Sequence, residues 1–287
     1  MTTLKNVTSV LRLFRDNRRE LSVDDVRRLM SMPKSSAARL LASMRDESLL
    51  ESVGRPPRYR IGPLFLEVAG LHRSFLSSSL NDLADAALVD LCETTGYTGY
   101  VSILQGADVL VVRVRRGSYP LQVVTPLGYR LQAFETAIGR ALLSRLSDDE
   151  IRRRHPGKLS PSSPHSPQSL SAVLRLVAQA REDGFAESCN EALPGIGSLA
   201  ISLRSADVNE LVGVCLSYPS SITSQKEKKR MSELLLATGR KIGTDIGDDF
   251  WVGRRNGDQK MVVSFGTNGG GVALRRGKAQ AKRALGG

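Results

Sequence analysis

The sequence predicts an α+β protein of two domains, on three observations. A length of 287 residues with 41% apolar and 24% charged content supports two ordinary hydrophobic cores. Apolar residues recur at helical spacing as far as Met44 and, after Leu49 and Leu50, at the spacing of two that marks strands. From Asp82 onward, amphipathic helical stretches mix with adjacent strand-like runs joined by short turns, the pattern of a largely antiparallel sheet packed against helices. No apolar run approaches the roughly 18 residues that span a bilayer. No basic region followed by an apolar core opens the chain at Met1-Thr2-Thr3-Leu4-Lys5-Asn6, so neither a secretory signal nor a membrane location is expected, and the expected home is the cytoplasm. Cys92, Cys189 and Cys215 are odd in number and widely spaced, which suits reduced thiols better than a disulfide framework or a zinc site.

In the first domain, Val7, Val10, Leu11 and Phe14 share one helical face. Ser22 with Asp25 three residues on makes a capping box for a second helix with Val23, Val26 and Met30 inward. That helix ends before Pro33. A third follows, with Ala37, Leu40, Leu41 and Met44 on the inner face and Lys34, Ser35, Ser36, Arg39 and Ser43 on the outer one. Three short helices with a tight second connection form a helix-turn-helix pattern. Two short strands then flank Gly54-Arg55-Pro56-Pro57, with Arg58 and Arg60 alternating with Tyr59 and Ile61. An Arg-rich hairpin alone is an ordinary solvated loop; after these helices it reads as a wing.

Further elements follow in order. A helix beginning at Pro63 carries Leu64, Val68, Leu71 and Phe75, and residues around Ser74 to Asn81 read as linker. From Asp82 an amphipathic helix with Leu83, Ala87 and Leu91 inward runs to Gly96, a left-handed cap. Strands are expected at Tyr97 to Leu104 and Val109 to Val114, around the turn Gln105-Gly106-Ala107-Asp108. Helices are expected at Thr136 to Leu146, at Asp148 to Arg154 behind a Ser147/Glu150 capping box, and at Leu170 to Asp183 before Gly184. Pro156 to Ser169 reads as a loop. Strands at Ser198 to Arg204 and Leu211 to Ser217 precede a last helix capped by Ser224 with Glu227 and reaching towards Ile246. The domains expected are therefore 1–62, a linker helix 63–81, 82–250, and a basic, disordered tail 251–287 rich in Gly, Asn, Lys and Arg.

The formal net charge of +12 sits at the two ends. Residues 1–70 hold 13 Lys and Arg against 8 Asp and Glu, residues 71–250 hold 20 of each, and residues 251–287 hold 8 against 1. A neutral middle with basic flanks suits terminal segments that touch polyanions, although a solubilising surface with a basic tail fits the charge equally well. On the third helix, Ser35, Ser36 and Arg39 are candidates for base edges, with Arg39 able to grip a guanine in bidentate fashion, and Ser43 on the same outer face is a further candidate for DNA contact. Lys34, Arg55, Arg58 and Arg60 are candidates for phosphates of double-stranded DNA.

Catalytic or metal chemistry finds no constellation. His72, His155 and His165 have no companion ligands at cage spacing and read as surface or packing residues. Ser31-Met32-Pro33-Lys34 matches an S-x-x-K pattern without its companion motifs. Gly195-Ile196-Gly197-Ser198-Leu199-Ala200 imitates a dinucleotide fingerprint but runs into strand, not helix. Glu191 has no partnering His or Lys at readable spacing. The expectation is a protein that is not an enzyme and uses no cofactor or metal.

Residues 4–250 resemble the IclR-type bacterial transcription regulators. The likeness rests on Met32-Pro33-Lys34-Ser35-Ser36-Ala37-Ala38-Arg39-Leu40-Leu41 with Tyr59-Arg60-Ile61-Gly62, and on Gly128 with Thr136-Ala137-Ile138-Gly139-Arg140-Ala141-Leu142-Leu143. It continues in Arg181-Glu182-Asp183-Gly184-Phe185-Ala186 with Glu191 and Gly195-Ile196, and in Leu199-Ala200 with Val212-Gly213-Val214 and Ser217. The resemblance implies a winged helix-turn-helix followed by a GAF-like effector domain in a homo-oligomer, dimeric or tetrameric, on a partly palindromic operator. It also implies a small-molecule effector, an organic acid or aromatic catabolite, held between the sheet and the Thr136 helix by Phe134, Thr136, Ala137, Ser188, Ser198, Cys215 and Ser217. Phe134 serves equally as core, and Gln132-Ala133-Phe134 replaces the family's Pro-Leu-His. Ser188 and Ser198 stand where an Asp and a Cys often help to hold the effector. The competing reading is a nucleic-acid-binding dimeric scaffold whose central domain binds no ligand; ligand-induced thermal stabilisation separates the two.

Overall fold

A computed structural model of the chain describes residues 3–14, 18–68, 79–121, 125–205 and 210–254. It divides into two compact units, Met1–Ser78 and Ser79–Gly287.

The first unit contains α1 (Thr3–Leu13), α2 (Val23–Leu29), α3 (Lys34–Asp46) and an antiparallel ribbon of β1 (Leu50–Val53) and β2 (Arg58–Ile61). Val10, Val26, Ala37, Leu41 and Met44 close its core, as the helical spacing predicts. The Ser22/Asp25 box caps α2, and Ser31 takes a left-handed φ of 50° in the turn before Pro33, which is the N-cap of α3. Tyr59 does more than alternate. Its backbone pairs with Leu21 through two 2.8 Å hydrogen bonds and its ring is buried, so the ribbon is tied to the segment before α2 while Arg58 and Arg60 stay outside. Residues 64–68 are helical, the start of the helix expected from Pro63; Leu71, His72, Phe75 and most of the expected linker lie outside the described residues.

The second unit contains α4 (Ser79–Thr95), β3 (Thr98–Gln105), β4 (Asp108–Arg115), β5 (Arg130–Gln132), a 3-10 turn (Ala133–Glu135), α5 (Ala137–Leu143), α6 (Asp148–Arg154) and α7 (Leu170–Asp183). β6 (Ala186–Cys189), β7 (Ile196–Ser205), β8 (Glu210–Pro219), α8 (Gln225–Asp245) and α9 (Asp249–Val252) complete it. The sheet runs β5-β4-β3-β8-β7-β6 with every pair antiparallel. Residues directly opposite across a pair share a face. A Cβ on Gly213 would strike Ile138 of α5, and one on Gly99 would strike Leu88 and Cys92 of α4, so α5 and α4 cover opposite faces. Gly184 ends α7 with a φ of 82°, the left-handed cap that glycine adopts without strain.

Several boundaries differ from expectation. α4 begins at Ser79, not Asp82, and buries Leu80, Ala84, Leu88 and Leu91, whereas Leu83 is exposed and Ala87 half-buried. The helix has apolar groups on both faces, and the sheet selects the stripe that meets Gly99. The linker expected as far as Asn81 therefore stops short, because Leu80 and Asn81 are already buried. α5 stops at Leu143 instead of Leu146, since its last turn tightens into Arg145 N–H to Leu142 O and Leu146 N–H to Leu143 O bonds. The short strands β5 and β6 and the closing helix α9 carry no periodicity long enough to read.

Residues 251–254, expected to belong to the tail, are part of the fold. Trp251 is fully buried, its indole N–H donating to Ser202 O at 2.9 Å. The ring lies against Gly239 and Gly243 of α8, where a Cβ would come within 2.4 Å of it. Asp248 accepts bonds from the Arg145 guanidinium and from the Arg204 and Phe250 amides, and Arg254 donates to Glu182 O. The second unit thus includes residues 249–254; the remaining tail, 255–287, lies outside the described residues.

Candidate functional site

On the first unit, α3 presents Lys34, Ser35, Arg39 and Ser43 as exposed side chains and Ser36 as half-buried, while Ala37, Leu41 and Met44 hold the opposite face in the core. The ribbon adds Arg55, Arg58 and Arg60, all exposed. Three of these cations are paired: Lys34 with Asp24 at 3.4 Å, Arg58 with Glu20 at 2.9 Å and Arg60 with Glu51 at 2.5 Å. Exposed pairs of this kind are worth about 0–1 kcal/mol, so a polyanion displaces the carboxylates at little cost. Among the described residues, Arg39 and Arg55 have no carboxylate partner. The outer face of α3 therefore offers two hydroxyls and a free guanidinium in one line, the donor set that reads base edges in a major groove.

On the second unit, Thr136, Ala137, Ser188, Ser198, Cys215 and Ser217 line one cavity of about 60 Å³. They come from β6, β7, β8 and the start of α5, and strand register explains their meeting. Ser188 lies opposite Ser198, which lies opposite Ser217, which lies opposite Thr98. Four hydroxyls thus form one row across β6, β7, β8 and β3, with Ser198 Oγ and Ser217 Oγ bonded at 2.8 Å. The next row is Ala186, Ala200, Cys215 and Tyr100. Ala137 N–H donates to Ser188 Oγ at 3.1 Å and Gly139 N–H to Thr136 Oγ1 at 3.0 Å, which pins the first turn of α5 over these rows. Gly139 permits this seat, since a Cβ there would lie 2.1 Å from Ala133 O.

Phe134 is not a cavity wall. The 3-10 turn carries its ring into the core, edge-on to the buried His155 with centroids 5.7 Å apart. His155 is thereby a packing residue, its pKa lowered by burial, and His165 is exposed. Ile201-Ser202-Leu203 is strand, so no helix follows the Gly195 fingerprint.

The cavity includes residues that the sequence alone leaves unmarked: Tyr100, Ser102, Thr125, Leu131, Ile138 and Leu193 among them. Tyr100 and Ser102 alternate on a strand that is legible, and assigning that strand's inner face would have flagged both. The Tyr100 hydroxyl accepts from Thr125 N–H at 3.1 Å, and burial raises its pKa. Burial likewise pushes the Cys215 thiol up to about 12, so it is a protonated, unreactive wall. The Ser102 hydroxyl is buried and has no hydrogen-bond partner among the described residues.

Glu191 does have a partner, 51 residues upstream. Arg140 on α5 grips it with two bonds, at 2.5 and 2.9 Å, and also donates to Phe134 O and Glu187 O. The side chain of Arg140 is 1% exposed and that of Glu191 12%. Ser163 and Ser166, in the loop after α6, hold Asn190 O and Glu191 O from the other side. The pair anchors the segment whose Ala192, Leu193 and Ile196 close the cavity.

The IclR helix-turn-helix domain matches residues 3–54, and the bacterial transcriptional regulator IclR C-terminal domain matches residues 73–244. The chain is 24% identical over 246 residues to the HTH-type transcriptional regulator XynR of Escherichia coli, covering 85% of this chain and 97% of that one. It is 23% identical over 248 residues to KdgR of the same organism, covering 84% and 94%. A crystal structure of an IclR homolog from Microbacterium hydrocarbonoxydans, solved with 4-hydroxybenzoate, shares the fold with a TM-score of 0.69 at 19% identity, covering 86% of this chain and 99% of that one. Among the described residues, no helix is long and apolar enough to cross a membrane. The chain belongs to the IclR family of bacterial transcriptional regulators, with an N-terminal helix-turn-helix domain and the family's C-terminal domain.

Proposed function

We propose that the protein is a ligand-responsive, cytoplasmic regulator that binds a partly palindromic operator as a homodimer or tetramer and senses a small organic acid or aromatic catabolite. The observation carrying this reading is the convergence of six side chains, from three strands and a helix start, on one hydroxyl-lined cavity in the C-terminal domain. A domain that only dimerises has no need of a hollow lined by a hydroxyl, that of Ser102, lacking a partner among the described residues, because such a group costs stability. The 4-hydroxybenzoate held by a structural neighbour supports the same reading. Two copies of α3 related by a two-fold would enter successive major grooves about 34–36 Å apart. Ser35, Ser36, Arg39 and Ser43 would face the bases, while Lys34, Arg55, Arg58 and Arg60 would face phosphates. The ligand shifts DNA affinity through its differential affinity for two conformations, so either sign of regulation fits.

Arg39→Ala tests the reading end of the molecule. Against DNA selected from a random-sequence pool by the native protein, it should weaken binding by about 1–3 kcal/mol and leave binding to random DNA nearly unchanged. Equal losses on both, measured by fluorescence anisotropy, would make Arg39 a phosphate contact.

A further inference from the structure

The described wall of the cavity carries no charge. Among the described residues no Lys, Arg, His, Asp or Glu lines it, and residues 192–203, which supply Ala192, Leu193, Ile196 and Ser198 to it, contain no charged residue in sequence. The cation nearest in sequence to the α5 part of the wall, Arg140, is already neutralised by both oxygens of Glu191 and satisfied by two carbonyls. Glu135, next to Thr136, is a buried carboxylate held by Ser162, with no cationic partner among the described residues. Of the first-turn amides of α5, which could otherwise receive an anion, those of Ala137 and Gly139 are occupied by the hydroxyls of Ser188 and Thr136, which leaves only that of Ile138 without a partner among the described residues.

What remains is a set of neutral groups that can both donate and accept. Ser102 Oγ has no partner among the described residues. The Ser198–Ser217 pair uses one proton for its mutual bond and keeps the other. Ser188 accepts from Ala137 N–H, and its own hydroxyl proton can still be donated. Around them stand Val109, Val111, Ile138 and Leu193. A carboxylate placed here would exchange its hydration for hydroxyls and at most one backbone amide, with no cation among the described lining residues to meet its charge, whereas an amide, alcohol or phenol exchanges one set of neutral hydrogen bonds for another.

Resting on the ligand-sensing reading above, and narrowing its ligand from organic acids to neutral compounds, we infer that the cavity selects an uncharged molecule: an apolar body of at most a single ring, carrying one or two hydroxyl or carbonyl groups. The volume of about 60 Å³ sets the size limit, since it holds roughly four to six waters and the walls must widen even for one ring.

Matched probes of equal size decide this. Benzamide against benzoate, and 4-hydroxybenzamide against 4-hydroxybenzoate, differ by little more than the charge. Titrated calorimetrically into the full-length protein at neutral pH, each amide should bind at least about tenfold more tightly than its acid. Ser102→Ala should weaken the amides and preserve their advantage. Carboxylates that bind as tightly as the amides, or more tightly, would overturn the neutral-ligand inference and leave the ligand-sensing reading standing. Binding of neither member of either pair would count against the ligand-sensing reading itself, and the inference would fall with it.

Discussion

Replacing Arg140 by methionine should destabilise the C-terminal domain by about 3–5 kcal/mol, the usual cost of removing one partner from a buried ion pair. The variant leaves Glu191 largely buried without its cation and strips the Phe134 and Glu187 carbonyls of a donor. Removing the charge on both sides, as in Arg140→Met with Glu191→Leu, should recover most of that loss, because two apolar side chains no longer need each other's charge. The urea midpoint of the three proteins is the measurement. A loss under about 1 kcal/mol in the single variant would place the pair with solvent-screened surface bridges. Ligand affinity should fall in both variants, since the pair anchors the segment bearing Leu193.

Trp251→Ala should cost a similar amount, about 3–5 kcal/mol, through lost burial and the cavity left against Gly239 and Gly243. It also removes the donor to Ser202 O. Two truncations test the domain boundary at the same place. A chain ending after Arg254 should keep the native stability to within about 0.5 kcal/mol, whereas one ending after Phe250 should lose at least as much as Trp251→Ala. Equal stability of the two truncated chains would mean that the indole contributes nothing to the fold.

Features written in a few neighbouring residues were legible in the sequence. The capping boxes at Ser22, Ser147 and Ser224 are each a four-residue pattern, and all three form. The core face of α3 follows from the spacing of Ala37, Leu41 and Met44. Features that depend on distant partners were not legible. Arg140 and Glu191 are 51 residues apart, and nothing local in either marks the other. β6 is four residues long, and its sequence Ala-Glu-Ser-Cys becomes a strand only because β7 pairs with it. In α4 the stripe through Leu83 and Ala87 competes with the one through Leu80, Ala84 and Leu88, and packing against the sheet decides between them. Thr136, Ala137, Ser188, Ser198, Cys215 and Ser217 were reached through family resemblance, since four separate elements must come together before any of them shares a cavity. Phe134 shows the limit of that route: a 3-10 turn rotates it into the core.

If occupancy of the cavity governs the DNA-binding domain, the two must be linked energetically in the full-length chain. The direct measurement is the affinity for the selected DNA with and without saturating concentrations of whichever matched probe binds most tightly, for the native protein and for Ser198→Leu. Leucine at that position projects into the cavity from β7 and leaves the DNA-binding domain untouched. The native protein should change its DNA affinity by about 5- to 150-fold on ligand binding, the ordinary range of allosteric coupling. Ser198→Leu should bind DNA as the ligand-free native protein does, and respond to no probe. An unchanged DNA affinity in the saturated native protein, or an equal response in Ser198→Leu, would contradict control of DNA binding from this cavity.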